Sequence, residues 1–400
     1  MKKRIIFHVD VNSAYLSWEA VERIKNGVKG TDLRTIPSII GGDMEKRRGV
    51  VLAKSTPAKK YNIITGEPIQ QALQKCPDLV IVKPNHDMYC KYSKKLLALL
   101  REYTQHVEPF SIDEAFMDVT GKIPCGKTPR EFALEIKKRI KRDLKFTVNI
   151  GVSTNKLLAK MASDFKKPDK VHTLFPEEIE TKMWILPVEE LFMVGKSTAK
   201  TLRNLGLKTI GDVAHLDVEI LKSHLGNKMG EHIHNNAWGI NDDPVEVERP
   251  MNKGYGNSVT LSEDIRDIED GYRVLLSLSE TVAGRLREND IKCYCITVET
   301  KDHKFIRQTR QTTLLNATNT TNVIFETACK LLEELWDGTP IRLLGIRATK
   351  LTEDDYEQLS LFDTPKDKKL EKLDSMLDSL RSKFGDNVIY RASLVKEEEN

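Results

Sequence analysis

The chain has 400 residues, 40% of them hydrophobic and 30% charged; that length exceeds one ordinary core and predicts roughly two to four domains, and the composition excludes a disordered chain. No run of about 18 apolar residues occurs, which argues against a helical membrane span, and the apolar stretch after Met1-Lys2-Lys3-Arg4 is too short for a secretory signal, so a cytoplasmic protein is expected. The net charge of +4 hides a division: residues 351–400 carry 8 basic and 13 acidic side chains, whereas residues 130–170 carry 12 basic and 5 acidic ones. A basic body with an acidic tail points to a polyanionic partner for the body. The six cysteines lack the C-x-x-C spacing of a zinc site, so Cys293 and Cys295 are expected as buried thiols on one strand.

Residues 4–10 read as a buried strand and residues 12–24 as a helix. Short strands are expected at 37–42, 49–54 and 79–83, and a helix at 85–103, where Met88, Tyr92, Leu96, Leu99 and Leu100 recur near a 3.6 period. Residues 107–110 and 115–119 read as a hairpin whose tip is Ser111-Ile112-Asp113-Glu114. A basic amphipathic helix at 129–144, a strand at 146–152 and a helix at 155–165 complete an order that fits a ferredoxin-like α/β layer. Beyond Pro168, residues 176–240 read as short helices broken by glycines. Residues 250–352 form a second mixed unit, with helices at 271–289 and 322–336 and strands at 292–299, 305–314 and 341–351. Residues 353–366 read as a linker and 367–384 as a short helix.

Asp10 ends a buried strand, and Asp113 and Glu114 sit on a hairpin expected in the same sheet. Carboxylates converging at one sheet end repel each other, and Mg²⁺, which favours oxygen ligands, relieves that repulsion. Two such ions stabilise the attacking and leaving oxygens of a phosphoryl transfer. From the residues alone, turn acids and a strand cap explain the pattern equally well.

The stretches His8-Val9-Asp10-Val11-Asn12-Ser13-Ala14-Tyr15 and Ser111-Ile112-Asp113-Glu114-Ala115-Phe116 resemble the Y-family (translesion) DNA polymerases, of the bacterial DNA polymerase IV or UmuC kind. The resemblance covers about residues 4–352. It implies an α/β (α+β) multidomain fold: a ferredoxin-like palm (1–18 and 80–170), small fingers (19–79), a helix-hairpin-helix thumb (171–242), an α/β little finger (250–352) and a tail (353–400). It makes Asp10, Asp113 and Glu114 catalytic metal ligands for two Mg²⁺ ions, with Mn²⁺ as a substitute, and adds the carbonyl of Val11. Tyr15 would be the steric gate that excludes a 2′-OH; as a lone residue it is equally an aromatic on the buried face of the first helix. Ser153-Thr154-Asn155-Lys156, where a strand hands over to a helix, places Lys156 on the triphosphate. Thr56 and Lys59 stand where many members have Tyr and Arg on the phosphates.

The same resemblance makes Leu191-Phe192-Met193-Val194-Gly195-Lys196 a hairpin whose Gly195 and Lys196 meet a DNA phosphate, with Met193 where the family usually has glycine. In the little finger it suggests Lys301, Lys304, Arg307 and Arg310 as phosphate contacts. Gln358-Leu359-Ser360-Leu361-Phe362 is similar to the peptide by which bacterial polymerases bind the β sliding clamp. The expectation is a monomeric polymerase that adds dNTPs to a primer 3′-OH on primer-template DNA, with low fidelity and no proofreading domain. Two alternatives stay open: a clamp-bound DNA-binding adaptor without activity, and a nucleotidyl cyclase-like enzyme.

Overall fold

The computed structural model describes residues 4–42, 49–248, 251–353, 365–385, 388, 389 and 391. They divide into two compact units, one reaching Arg249 and one beginning at Pro250. The first unit runs β1 (Ile6–Val11), α1 (Ala14–Lys25), β2 (Ser38–Gly41), β3 (Val51–Lys54), α2 (Thr56–Lys59), α3 (Ile69–Lys75), β4 (Val80–Val82), α4 (His86–Arg101), β5 (Val107–Pro109), β6 (Glu114–Asp118), α5 (Pro129–Leu144), β7 (Val148–Ser153), α6 (Lys156–Asp164), β8 (Val171–Thr173), α7 (Lys196–Asn204), α8 (Ile210–His215), α9 (Val218–Leu225) and α10 (Asn227–Ala237).

Five strands form one sheet in the order β5-β6-β1-β7-β8. The central strand β1 is buried along its whole length, and its side chains alternate between two cores. Phe7, Val9 and Val11 enter a large core with Trp18, Tyr92, Phe132 and Phe146. Ile6 turns the other way, toward Phe116 and Ala159 of α6. His8 and Asp10 share that second face by the same alternation. Gly151 of β7 lets α6 lie against the sheet, because a Cβ there would stand 1.9 Å from the carbonyl oxygen of Ala159. The strand β8, parallel to β7, is an addition to the sheet that sequence reading leaves out. A separate small sheet has the order β3-β2-β4.

Helices α6 to α10 share a core that includes Leu158, Leu191, Leu202, Ile210, Leu221 and Ile233. The turns that join them fit the hairpin expectation, although Met193 stands in place of glycine. Met193 adopts φ +74°, the left-handed conformation that glycine takes without strain. The departure therefore preserves the backbone path and costs conformational energy instead.

The second unit runs β9 (Gly254–Ile265), α11 (Ile268–Glu288), β10 (Lys292–Asp302), β11 (Arg307–Thr318), α12 (Thr321–Leu335), β12 (Ile341–Thr352) and α13 (Pro365–Phe384). Its sheet is antiparallel throughout, in the order β11-β10-β12-β9. Helices α11 and α12 cover one face, burying Leu275, Val282, Leu286, Ile296, Val298, Ile324, Leu332 and Ile346. Cys293 and Cys295 are both buried thiols. α13 is fastened to the helical layer by ion pairs. Asp374 meets Arg287 at 3.3 Å and Arg391 at 3.2 Å, Asp378 meets Arg287 at 2.6 Å, and Glu280 meets Arg381 and Arg391. Asp374 also accepts from the backbone N–H of Thr321 at 2.8 Å, capping α12, whose own N-cap Thr320 makes no side-chain cap bond. Among the described residues, no helix is long and apolar enough to cross a membrane.

Candidate active site

Strand pairing brings the acids together. Asp10 and Glu114 are direct partners in the antiparallel β1–β6 register, and the backbone N–H of Val11 donates to the carbonyl of Asp113 at 3.1 Å. Asp10 and Glu114 therefore emerge side by side on the face covered by α6, with Asp113 one residue further along the hairpin. The Ser111 hydroxyl donates to the Asp113 carboxylate at 2.7 Å.

Two lysines answer these charges. Lys167 lies 2.5 Å from Asp10 and 2.8 Å from Asp164; Lys160 pairs with Glu114 and lies 3.3 Å from Asp164. Burial pushes the Asp10 carboxyl up to about 6, with Lys167 opposing the rise and Glu114 adding to it. Burial works against the Lys167 ammonium, yet Asp10 and Asp164 more than offset it and hold it above the usual lysine value. The same balance, with Glu114 and Asp164, raises Lys160.

Among the described residues, no three His, Cys, Asp or Glu side chains stand close enough together to hold a metal ion as they are placed, each being turned to its own lysine or hydroxyl partner. The donor set nevertheless fits a hard divalent cation. It is all oxygen, and a buried carboxylate beside a second one is the environment that such a cation stabilises.

A cavity opens beside Asp10, lined by Val11, Ser13, Arg34, Thr56, Lys59 and Lys167. Thr56 and Lys59 thus share a cavity with Asp10. Ser55 caps the short helix that carries them. Arg34 is fixed by Asp32 and donates to the Lys145 carbonyl at 2.8 Å. Lys156 does not reach this cavity. Its ammonium bonds both oxygens of Glu108, at 2.8 and 2.7 Å, and the carbonyl of Pro244 at 3.2 Å. The reason is helix pitch: Lys156 and Lys160 lie four residues apart on one face of α6, so Lys156 meets the edge strand β5 and Lys160 meets the acids. Sequence reading missed Lys160, one helical turn beyond Lys156, and Lys167.

Tyr15 stands in the first turn of α1, half-buried, with its ring stacked on Tyr89 at 4.5 Å and 12°. Burial, and then the charge of Asp113, raise its hydroxyl above the usual tyrosine value.

Gly195 is the N-cap of α7 and Lys196 its first residue, and no side chain caps this terminus. Its first N–H groups are thus left to an outside acceptor. In the second unit, the sheet face away from the helices carries Ser258, Thr297, Lys301, Arg307, Thr309, Gln311 and Arg347, as cross-strand pairing requires. Lys304 lies exposed in the β10–β11 turn. Arg310 breaks from this set. It is three residues from Arg307, hence on the opposite face, where it pairs with Glu334 of α12 at 2.6 Å. Arg307 itself pairs with Glu299. The peptide Gln358, Leu359, Ser360, Leu361 and Phe362 lies outside the described residues.

Comparison with known proteins gives a consistent set. Residues 9–164 match the model of the impB/mucB/samB family, residues 252–361 that of the impB/mucB/samB family C-terminal domain, and residues 189–241 that of the DNA polymerase-iota thumb domain. The chain is similar to a protein called DNA polymerase IV from Clostridium acetobutylicum, with 48% identity over 99% of both chains. It is also similar to DNA polymerase IV 1 from Bacillus subtilis, with 38% identity over 100% of this chain and 95% of the relative. Among solved structures, a Y-family DNA polymerase chimera of Dbh and Dpo4 aligns with a TM-score of 0.73 at 24% identity, over 86% of this chain and 98% of that one, which is a likeness of fold.

Proposed function

Because this chain belongs to the impB/mucB/samB family of Y-family DNA polymerases, we propose that its acidic sheet end is the site at which a DNA-directed polymerase extends a primer past damaged template positions. The observation that carries the proposal is the Asp10–Glu114 register pair, set beside a cavity with a cationic rim. Neither a cyclase nor an inactive adaptor is favoured, since the relatives matched along the whole chain are called polymerases.

In this reading Asp10, Asp113, Glu114 and the Val11 carbonyl hold divalent metal. Two Mg²⁺ ions, or Mn²⁺, would there ease deprotonation of the primer 3′-OH and neutralise phosphate charge. The chain's own part is to place the reactants. Lys167, Lys59 and Thr56 face the cavity in which the triphosphate lies, and Lys167 takes the role that the sequence assigned to Lys156. Tyr15, held flat by Tyr89, stands under the sugar and excludes a ribose. In-line geometry imposed by these groups supplies much of the acceleration.

We assign residues 1–18 and 80–170 to the palm, 19–79 to the fingers, 171–242 to the thumb, 250–352 to the little finger and 353–400 to the tail. The α7 terminus at Gly195 and Lys196 takes a DNA phosphate. Lys301, Lys304, Arg307 and Arg347 serve the little finger, and Arg310 is set aside. A monomer in the cytoplasm, tethered to a sliding clamp through Gln358–Phe362, completes the proposal. Primer extension on intact and abasic templates with Mg²⁺ tests it. Asp113→Ala is expected to abolish extension and leave DNA binding intact. A purified chain that adds no nucleotide to any primer refutes the proposal.

A further inference from the structure

The residues assigned to catalysis leave one charge in the same neighbourhood without a part. Asp164 is the last residue of α6. Its Oδ1 lies 2.8 Å from Lys167 Nζ and its Oδ2 lies 3.3 Å from Lys160 Nζ. These are the two ammonium groups that pair with Asp10 and Glu114. One carboxylate thus stands behind both lysines, and each lysine is held between that carboxylate and an acid of the site. We propose that Asp164 is a positioning residue: it holds Lys167, and with it Lys160, from behind, so that the Lys167 ammonium, which also bonds Asp10, stays on the wall of the triphosphate cavity. The proposal rests on the polymerase reading given above and deepens it.

Three observations favour a positioning role over a structural one. First, local helix energetics run against an acid at this position. α6 has no basic residue in its last turn, and a carboxylate at a helix C-terminus faces the negative end of the macrodipole. Asparagine at 164 would relieve that repulsion, which offsets the small gain that the Lys160–Asp164 pair gives α6. Second, Lys160 and Lys167 differ in surroundings. The Lys160 side chain is 11% exposed and the Lys167 side chain 32% exposed. Lys160 is thus locked in the wall, while Lys167 lines the cavity and keeps room to turn toward a ligand. Third, both contacts are short-range steps along one chain, i to i+3 and i to i−4, so the arrangement needs no distant element to hold it.

The proposal makes a prediction opposite in sign to simple electrostatics. Removing a negative charge beside a triphosphate site should, through space alone, attract the anion more strongly. Loss of positioning should weaken its binding. The test is single-nucleotide incorporation by the full chain with Asp164→Asn, Asp164→Glu, Lys167→Met and the Asp164→Asn/Lys167→Met double variant, accompanied by thermal unfolding of each. Asp164→Asn is expected to raise the KM for dNTP by about 3–10-fold, the scale of one partly exposed charge contact, with kcat changed less than about two-fold. Its unfolding midpoint is expected not to fall. Asp164→Glu should restore most of the KM. In the Lys167→Met background, Asp164→Asn should add little, because its effect passes through the lysine.

A KM that is unchanged or lower in Asp164→Asn overturns the proposal. So does a full additional rise in the double variant, or a glutamate variant no better than the asparagine one. A wild-type chain that incorporates no nucleotide overturns the polymerase reading together with this one. An active wild type with an indifferent Asp164→Asn overturns this one alone.

Discussion

Replacing Asp374 by alanine tests whether α13 belongs to the folded second unit. The carboxylate is 3% exposed, caps α12 through the Thr321 N–H and joins Arg287 and Arg391. Loss of a helix cap costs about 1 kcal/mol. Removing one partner of a buried ion pair costs about 3–5 kcal/mol when the other is left without compensation. Here the arginines are not orphaned, because Arg287 keeps Asp378 and Arg391 keeps Glu280. The ionic part therefore falls to roughly 1–2 kcal/mol and the total to about 2–3 kcal/mol. Amide hydrogen exchange in α12 reads this directly: opening becomes about 30–150-fold more frequent than in wild type. Asp374→Asn keeps an oxygen for the Thr321 N–H and should lose only the ionic part. If α12 protection in Asp374→Ala stays within about two-fold of wild type, the assignment of α13 as a fastened element is wrong.

Three further outcomes are expected. Met193→Gly should stabilise the first unit by about 0.5–1 kcal/mol in a urea melt, since relief of the left-handed strain exceeds the entropy that glycine costs and the side chain is 53% exposed; a loss of stability would refute the strain argument. Lys156→Met should leave the KM for dNTP within about two-fold, whereas Lys167→Met should raise it at least ten-fold; equal effects would return Lys156 to the triphosphate. Replacing Leu361 and Phe362 together by alanine should abolish stimulation of primer extension by a sliding clamp while unaided synthesis persists. Stimulation that survives would move the clamp contact elsewhere.

Elements with strong local signals were legible in the sequence. α5 begins at Pro129 because Thr128 and Glu131 form a capping box, and it ends at Leu144 because Lys145 adopts a left-handed cap. All of that is written within a few residues. β8 was not legible, since Val171-His172-Thr173 is too short to alternate and is held only by pairing with β7. β9 carries glycines at 254 and 256 that mask a strand. At the site, the acids could be read because the hairpin and β1 each display them locally. Their lysine partners could not, because Lys156 and Lys160 share a helix face and only the tertiary packing of α6 against the sheet decides which one meets which acid. The parity of Arg307 and Arg310 was available: three residues apart on a strand means opposite faces.

The fastening of α13 ties three helices into one cooperative set. Asp374 pairs with Arg287 of α11 and caps the first turn of α12, so a pull on α13 is felt at once by both of the helices that cover the sheet.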